Sequence, residues 1–345
     1  MDKGLLSIPV YNQNVSMDKV IDEIVNQVVE ADKWGVNEAF FGEHITDKHE
    51  KITSSLLMVS SLSKLTKKIK LGTLTTNLNF HNPAIVASMI SMADNLSRGR
   101  LMLGIGSGAN MSDIESIGNT EKNNHDITLE TEKIIQELIV SKKLVDIKGK
   151  YFNISTKKFG NEDLGLGFFN GLYKDRNNLE IVMPALNENS YNVKLCAKNE
   201  WSIVISNFCS EEIIENHISS YLENSNLPEE KAYKKIKLSK LIFANKKKDG
   251  GEELVFSNNS PFMEVVSILF KKLKKFNKHG CFGKNIDSPL DAAKSTVIYG
   301  NPDQISKKIE SKYKKLSSIV YVTVPQTGND NFDRSLEIFS KNVSV

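Results

Sequence analysis

Glu43 and His44 close a short apolar run, Ala39-Phe40-Phe41-Gly42, that reads as a buried strand. A carboxylate beside an imidazole is a pair suited to moving protons near neutral pH, because histidine is the side chain whose ordinary pKa lies closest to 7. A structural histidine, hydrogen-bonded at a strand end, fits the same pattern. Two further apolar runs end on unusual residues: Gly72-Thr73-Leu74-Thr75 on small and hydroxylated ones, and Gly104-Ile105-Gly106-Ser107-Gly108 on alternating glycines. Glycines at a strand end let backbone N–H groups approach a phosphate or a flat ring, or simply allow a tight turn. Small and hydroxylated residues suit a strand end facing a cofactor or an ordinary half-buried one. On the residues alone both readings stay open.

The elements that must position these groups alternate regularly. Strands are predicted at 5–10, 38–42, 69–73, 101–105, 179–186, 202–206, 237–244 and 318–324, and helices at 18–34, 54–65, 83–96, 127–140, 191–198, 211–224, 261–278, 302–316 and near 333–340. Strand-helix alternation argues for a parallel sheet with helical crossovers. The strand count matches a (β/α)8 barrel, whose C-terminal strand ends carry the chemistry. A doubly wound open sheet would need a Gly-rich dinucleotide fingerprint after the first strand, where none stands. Helix starts are well marked: Ser16 precedes the first, Asn82-Pro83 opens the third, and Asn301-Pro302-Asp303-Gln304 carries an Asn cap, a proline at the first position and Gln at the third. Outside the repeat lie a Gly-, Ser- and Asn-rich loop at 106–124, a β-hairpin at 144–154 turning at Lys148-Gly149, and a stretch at 159–178 with no regular element. No shift in composition divides the chain, so a single domain over 1–345 is expected.

With 345 residues, 40% hydrophobic and 25% charged, the chain is large enough for one barrel and too apolar to be disordered. The net charge of +3 is small, and the lysine runs at 67–68, 246–248, 271–272 and 274–275 are scattered, which argues against nucleic-acid binding. Cys196, Cys209 and Cys281 are odd in number and lack CxxC spacing, so neither a disulfide framework nor a metal site is expected, and a reducing cytoplasm fits them. Neither a signal-peptide core nor a membrane-spanning run is present. The stretches 54–63 and 83–93 contain no charged residue, whereas an outer helix of a monomeric barrel shows water a charged stripe. A homodimer covering both helices is therefore expected.

The stretch FGEHITDKHEKITSS, followed by IKLGTLTTNLNFHNPAIVASMISMADNLSRGRLMLGIGSGANMSDIESIG and later by VIYGNPDQISKKIE, resembles the bacterial luciferase-like flavin-dependent monooxygenases in the order and spacing of its motifs. The resemblance is strongest over 18–118, 179–208 and 296–324. It implies a (β/α)8 barrel with FMN at its C-terminal mouth, the reduced flavin supplied by a separate flavin reductase. His44 falls where these enzymes carry an active-site histidine. Leu74-Thr75 falls on a strand-end pair, often joined by a non-proline cis peptide, that lies under the isoalloxazine. Gly106-Ser107 matches positions lining the flavin and its phosphate, Leu186-Asn187-Glu188-Asn189 with Asn192 matches the phosphate-side turn after the fifth strand, and Ser206-Asn207 matches a pair facing the cofactor.

Two positions depart from the pattern. His125 stands where many relatives carry an arginine on the flavin phosphate, and Ser107 where luciferase itself has one. A phosphate held by His, Ser, Asn and backbone N–H groups lacks bidentate charge-assisted contacts, so weaker flavin binding is expected. The implied reaction transfers one oxygen atom from dioxygen to a small organic substrate through a flavin 4a-hydroperoxide, with His44 assisting proton transfer in a water-poor site. The alternatives are deazaflavin-dependent hydride transfer on the same fold and a non-catalytic flavin-binding subunit.

Overall fold

A computed structural model of the chain describes residues 1–188, 190–247, 249–276, 279–283 and 286–345. Its principal strands are β1 (Asp2–Ser7), β2 (Glu38–Phe41), β3 (Lys70–Thr73), β4 (Leu101–Gly106), β5 (Glu180–Ala185), β6 (Ser202–Ile205), β7 (Ile236–Ala244) and β8 (Ser318–Val322). They are joined in the order β7-β8-β1-β2-β3-β4-β5-β6, with β6 pairing back to β7, which makes the sheet a closed (β/α)8 barrel. The pairings are parallel, as Leu5 opposite Tyr321, Leu71 opposite Leu101 and Val182 opposite Ser202 show. Strands such as β2, β4, β6 and β8 are buried along their whole length, the pattern expected where a parallel sheet is covered on both faces.

The crossover helices are α1 (Met17–Lys33), α2 (Ser55–Leu62), α3 (Pro83–Ser97), α4 (Asn124–Val140), α5 (Tyr191–Asn199), α6 (Glu211–Asn224) and α7 (Pro302–Tyr313), and α8 (Ser335–Asn342) follows β8. Helix α1 illustrates their logic: Val20, Ile24, Val28 and Ala31 recur at helical spacing and are buried. The Asn82 side chain accepts from the Ala84 N–H, and Asn301 and Gln304 form a reciprocal capping box. Ser16 precedes α1 without making a side-chain cap.

By contact the chain divides into two units, one of residues 1–40, 48–51 and 182–345, the other of 41–47 and 52–181. In the first, Lys237 and Glu38 form a buried ion pair at 2.6 Å, with the Ser318 hydroxyl donating to the other Glu38 oxygen. Satisfied on both sides, those charges are tolerable in an apolar interior. In the second, the Arg100 guanidinium donates to the carbonyls of Ser63, Thr66, Ile69 and Ser97, and Asp94, fully buried, takes Arg176 and the Tyr173 N–H. Arg98 ends α3 in the left-handed conformation at φ 57°. The Ser97-Arg98-Gly99-Arg100 motif is thus a brace that fixes the loop between α2 and β3.

Several boundaries differ from expectation. The first strand spans Asp2–Ser7 rather than 5–10, since its ladder to β8 runs only to Leu6 and Pro9 has no N–H to continue it. The 106–124 loop contains a helix, Met111–Ser116, and an unpredicted strand, Val297–Gly300, pairs with the second half of β7. The hairpin pairs Asp146–Lys148 with Asn153–Ser155, and its turn spans 149–152, closed by Gly149 N–H on the Phe152 carbonyl. The helix predicted to 278 runs over Pro261–Lys275, and 277 and 278 lie outside the described residues. Among the described residues no helix is long and apolar enough to cross a membrane.

Candidate functional site

β2 ends at Phe41, whose carbonyl accepts from Leu74 N–H at 2.7 Å, so the exits of β2 and β3 are tied together. His44, three residues beyond, sets its Nδ1 3.0 Å from Oδ2 of Asp113; its side chain is 24% exposed and that of Asp113 only 1%. Asp113 sits in the short helix Met111–Ser116, started by the Asn110 side chain on Ser112 N–H. Its other oxygen accepts from the Thr46 N–H at 2.8 Å and from the Thr46 hydroxyl. Burial pushes the Asp113 carboxyl up, but the hydrogen bonds from His44 and Thr46 outweigh it and hold the group below its ordinary value. At neutral pH Asp113 is therefore an ionised acceptor, so the His44 proton facing it must lie on Nδ1. The proton that the neutral ring gains and the cation loses is then the one on Nε2.

Glu43, adjacent in sequence, does a different job. Oε2 accepts from the Ser55 N–H at 3.0 Å and the Ser55 hydroxyl at 2.8 Å, while Oε1 accepts from the Asn77 N–H at 2.7 Å. Asn77 in turn takes the Thr75 hydroxyl on Oδ1 at 2.9 Å. Leu74 and Thr75 are both half-buried and are joined by a cis peptide bond, the geometry that the sequence resemblance implies. The predicted ionisable pair thus resolves into an exchangeable imidazole and a buried bracing carboxylate.

The glycine run of β4 has packing reasons. A Cβ on Gly104 would come within 1.8 Å of the Thr73 carbonyl oxygen, and one on Gly106 within 2.4 Å of Thr75 Oγ1. Gly108 has φ +79°, a left-handed conformation that glycine adopts without strain. These residues let β4 lie against the exit of β3. Ser107 follows, half-buried. His125 is the second residue of α4, also half-buried, beside a ring of amides: Asn79 donates to Asn124, Asn124 to the Asn119 carbonyl, and Asn119 to the Asn79 carbonyl.

In the other unit, Ser206 is buried directly after β6, its N–H on the Ala185 carbonyl at 3.0 Å and its hydroxyl accepting from Phe208 N–H at 3.3 Å. Asn207 is buried beside it, and its Nδ2 finds no partner among the described residues. Leu186, Asn187 and Glu188 form an exposed turn after β5, and Asn189 lies outside the described residues. Asn192 donates from Nδ2 to the Pro184 carbonyl at 2.8 Å, bracing the strand that leads into this turn. The structure therefore joins His44, Leu74, Thr75 and Gly106 within one unit, and Leu186, Asn192 and Ser206 around β5 and β6 within the other.

Sequence reasoning did not single out Asp113, since it falls in the stretch read as a loop. The signal was Asn110 followed three residues later by an acid, the spacing of a helix start.

A family model described as luciferase-like monooxygenase matches residues 4–160. The 3,6-diketocamphane 1,6-monooxygenase of Pseudomonas putida is 22% identical over 100% of this chain and 97% of its own length. The chain is thus similar to the luciferase-like monooxygenases, by the family model over residues 4–160. The relatives differ in how far they match. The 4-hydroxyprotoasukamycin monooxygenase of Streptomyces nodosus subsp. asukaensis is 32% identical, but over 31% of this chain and 29% of that protein. Limonene 1,2-monooxygenase of Rhodococcus erythropolis is 29% identical over 34% and 30%. The chain's match thus spans less than a third of the length of these two relatives. Among solved structures, the oxygenating constituent of 3,6-diketocamphane monooxygenase from Pseudomonas putida, in complex with FMN, superimposes with a TM-score of 0.85 at 22% identity, covering 99% of this chain and 97% of that one. An F420-dependent secondary alcohol dehydrogenase reaches 0.69 at 16% identity, covering 99% and 98%. Both likenesses concern the barrel fold.

Proposed function

We propose that this protein is an FMN-dependent monooxygenase that oxygenates a small organic substrate, working as one domain over its whole length. The observation that carries the reading is the His44–Asp113 pair at the end of β2, a buried ionised carboxylate fixing the tautomer of a partly exposed imidazole. The names of the full-length relatives supply the reaction class. The residues present fit the cofactor: Asn207 offers a buried amide donor with no partner among the described residues, suited to a flavin oxygen, and Leu186, Asn187 and Glu188 form an exposed turn ahead of the α5 N-terminus.

We assign isoalloxazine-side roles to Leu74, Thr75, Gly106 and Ser107 and a phosphate-side role to His125 in the one unit; in the other, considered by itself, Leu186, Asn187, Glu188, Asn192 and Ser206 are proposed as cofactor contacts, and Asn189, a further candidate, lies outside the described residues. When bound in its reduced form, FMN supplies the electrons that split dioxygen, one oxygen atom going to the substrate and the other to water. His44 Nε2 takes or gives the proton this requires, Asp113 holds the ring in register, and Glu43 and Asn77 hold Thr75. Neither His125 nor Ser107 supplies the permanent charge of an arginine, so the flavin is expected to bind loosely and to arrive reduced from a separate reductase.

Anaerobic titration with reduced FMN, followed by mixing with oxygenated buffer, tests the reading. Binding, with oxidised flavin returning more slowly than in free solution, is the expected result. Flavin oxidation and peroxide release at the rate of free reduced FMN would leave a binding protein only. Binding of a deazaflavin with no response to FMN would point to hydride transfer.

The homodimer belongs to the same proposal. Leu57 on α2 and Ile85 and Met92 on α3 are each more than 60% exposed, on helices that pack together and carry no charge on that face. Sedimentation should give a dimer at micromolar concentration, and a double change of Leu57 and Met92 to Glu should give a monomer.

A further inference from the structure

The loop after β2 and the short helix Met111–Ser116 meet at Asp113. His44 Nδ1 stands 3.0 Å from its Oδ2. Oδ1 takes both donors of Thr46, the backbone N–H at 2.8 Å and the hydroxyl at 2.5 Å. The Thr46 hydroxyl also lies 2.6 Å from the Ser112 hydroxyl, which in turn lies 3.0 Å from Asn110 Oδ1. Each hydroxyl has one hydrogen, so these contacts cannot all be bonds at once. With Asp113 ionised, its Oδ1 takes the Thr46 hydrogen, and the 2.6 Å contact then needs the hydrogen of Ser112. Asn110 Oδ1 keeps the Ser112 N–H at 3.3 Å. Proton counting therefore orients the chain: Ser112 donates to Thr46, and Thr46 to Asp113.

A tie between loop and helix does not require this arrangement. The Thr46 N–H already joins the two, and Thr46 and Ser112 are exposed, so water could satisfy both hydroxyls. What the chain adds is placement of charge. The Asp113 side chain is 1% exposed and gains little from solvent. A hydroxyl that points its hydrogen at Oδ1 draws negative charge toward that oxygen, and it does so more strongly when it accepts a hydrogen bond itself. Oδ2, the oxygen facing the imidazole, is left with less. Such a carboxylate stays ionised, yet it holds an imidazolium less firmly than one without those donors.

We infer that Thr46 is a positioning residue, with Ser112 behind it: the oriented hydroxyl pair tempers Asp113, so that His44 Nε2 both takes up and releases a proton instead of keeping it. Thr46 acts through Asp113 and touches no reacting atom. That the tempering serves oxygenation rests on the proposed function; the tempering itself does not. Among the described residues around the pair, Glu43 has its oxygens on Ser55 and Asn77, Asp47 follows Thr46, Glu115 is exposed on the short helix, and the β3 exit from Leu74 to Asn77 carries no charge. These groups are the same in every variant below, so differences between variants report Thr46 and Ser112.

The test follows the His44 titration midpoint by NMR in the full-length protein, without any flavin. Thr46→Val keeps the shape and the backbone N–H but removes the hydroxyl, whereas Thr46→Ser keeps the hydroxyl. Thr46→Val should raise the midpoint by about half a pH unit, and Thr46→Ser should leave it within about 0.2 of the unchanged protein. Ser112→Ala should shift it the same way by less, and should add nothing in the Thr46→Val background, because Ser112 acts through Thr46. In an Asp113→Asn background the response to Thr46→Val should vanish. A midpoint unmoved or lowered by Thr46→Val, or an equal shift in Thr46→Ser, would overturn the inference and leave Thr46 a tie between loop and helix. If Thr46→Val does not fold, Ser112→Ala decides: a raised midpoint supports the oriented chain, and an unmoved or lowered one overturns it. In turnover, the pH profile of the oxygenation rate should move with the midpoint in Thr46→Val. Should the unchanged protein fail to bind reduced FMN, the proposed function falls, while the midpoints still judge Thr46.

Discussion

At the exits of β2 to β4 the ring of His44 and its neighbours are joined side chain to side chain, His44 to Asp113, Asp113 to Thr46 and Thr75 to Asn77, while Glu43 and Asp113 also accept from backbone N–H groups. Around the exits of β5 and β6 side chains instead address the main chain: Asn192 the Pro184 carbonyl, and Cys209 those of Ala185 and Leu186. The first region holds a titrating ring in one tautomer, which needs a charged partner and a tight geometry. The second holds the course of a loop, which many residue types could do in many ways. A chemical role narrows residue choice where an ionisable side chain is itself the working part, and leaves it wide where the working part is backbone. The family model spans residues 4–160, which include the first region and not the second.

The comparison breaks most visibly at His44. If the first region works through its titrating side chain, His44→Ala should lower the rate of substrate oxygenation by about a hundredfold or more while circular dichroism stays unchanged. A near-normal rate would make the first region a structural device as well. Asp113→Asn is the finer cut. It keeps the shape and an oxygen acceptor but removes the charge that stabilises a His44 cation and fixes Nδ1–H. Loss of one charge-assisted hydrogen bond, about 1.5–3 kcal/mol, predicts a rate about tenfold or more lower and a His44 titration midpoint, followed by NMR, moved to lower pH. An unmoved midpoint would mean that the carboxylate only supports the loop around Thr46.

How much could be read beforehand follows the same division. Strand order, the helix caps at Asn82 and Asn301, and the candidacy of His44 were legible because period, capping chemistry and an ionisable residue at a strand end are local signals. Asp113 was hidden in a stretch whose Gly, Ser and Asn content masks a helix six residues long. The glycines of β4 admitted two readings because a missing side chain looks alike whether a cofactor or Thr75 takes the space, and only the neighbouring strand distinguishes them.

The smallest effect sharpens the comparison from the second region. Burial lowers the pKa of His217 from the ordinary histidine value of 6.5, against the opposing pull of the Asn187 backbone. Above pH 6.5 the ring is neutral in both folded and unfolded chains and stability does not depend on it. As pH falls below 6.5 the unfolded chain takes up a proton that the folded one refuses, so stability declines until the folded ring also titrates. The slope is at most about 1.4 kcal/mol per pH unit, one proton's worth. Other groups act in neighbouring windows: burial raises the carboxyls of Glu23 and Glu132, which favours the folded state as pH falls between 4.5 and their higher folded values. Asp113, held low, loses its contribution only below 3.8. Denaturation of the unchanged protein and of His217→Gln, compared from pH 7.5 to 5, removes these shared terms. The variant should lose less stability on acidification than the unchanged protein, with the difference opening just below pH 6.5. Parallel curves would show that His217 titrates alike in both states, and that its burial does not set its proton affinity.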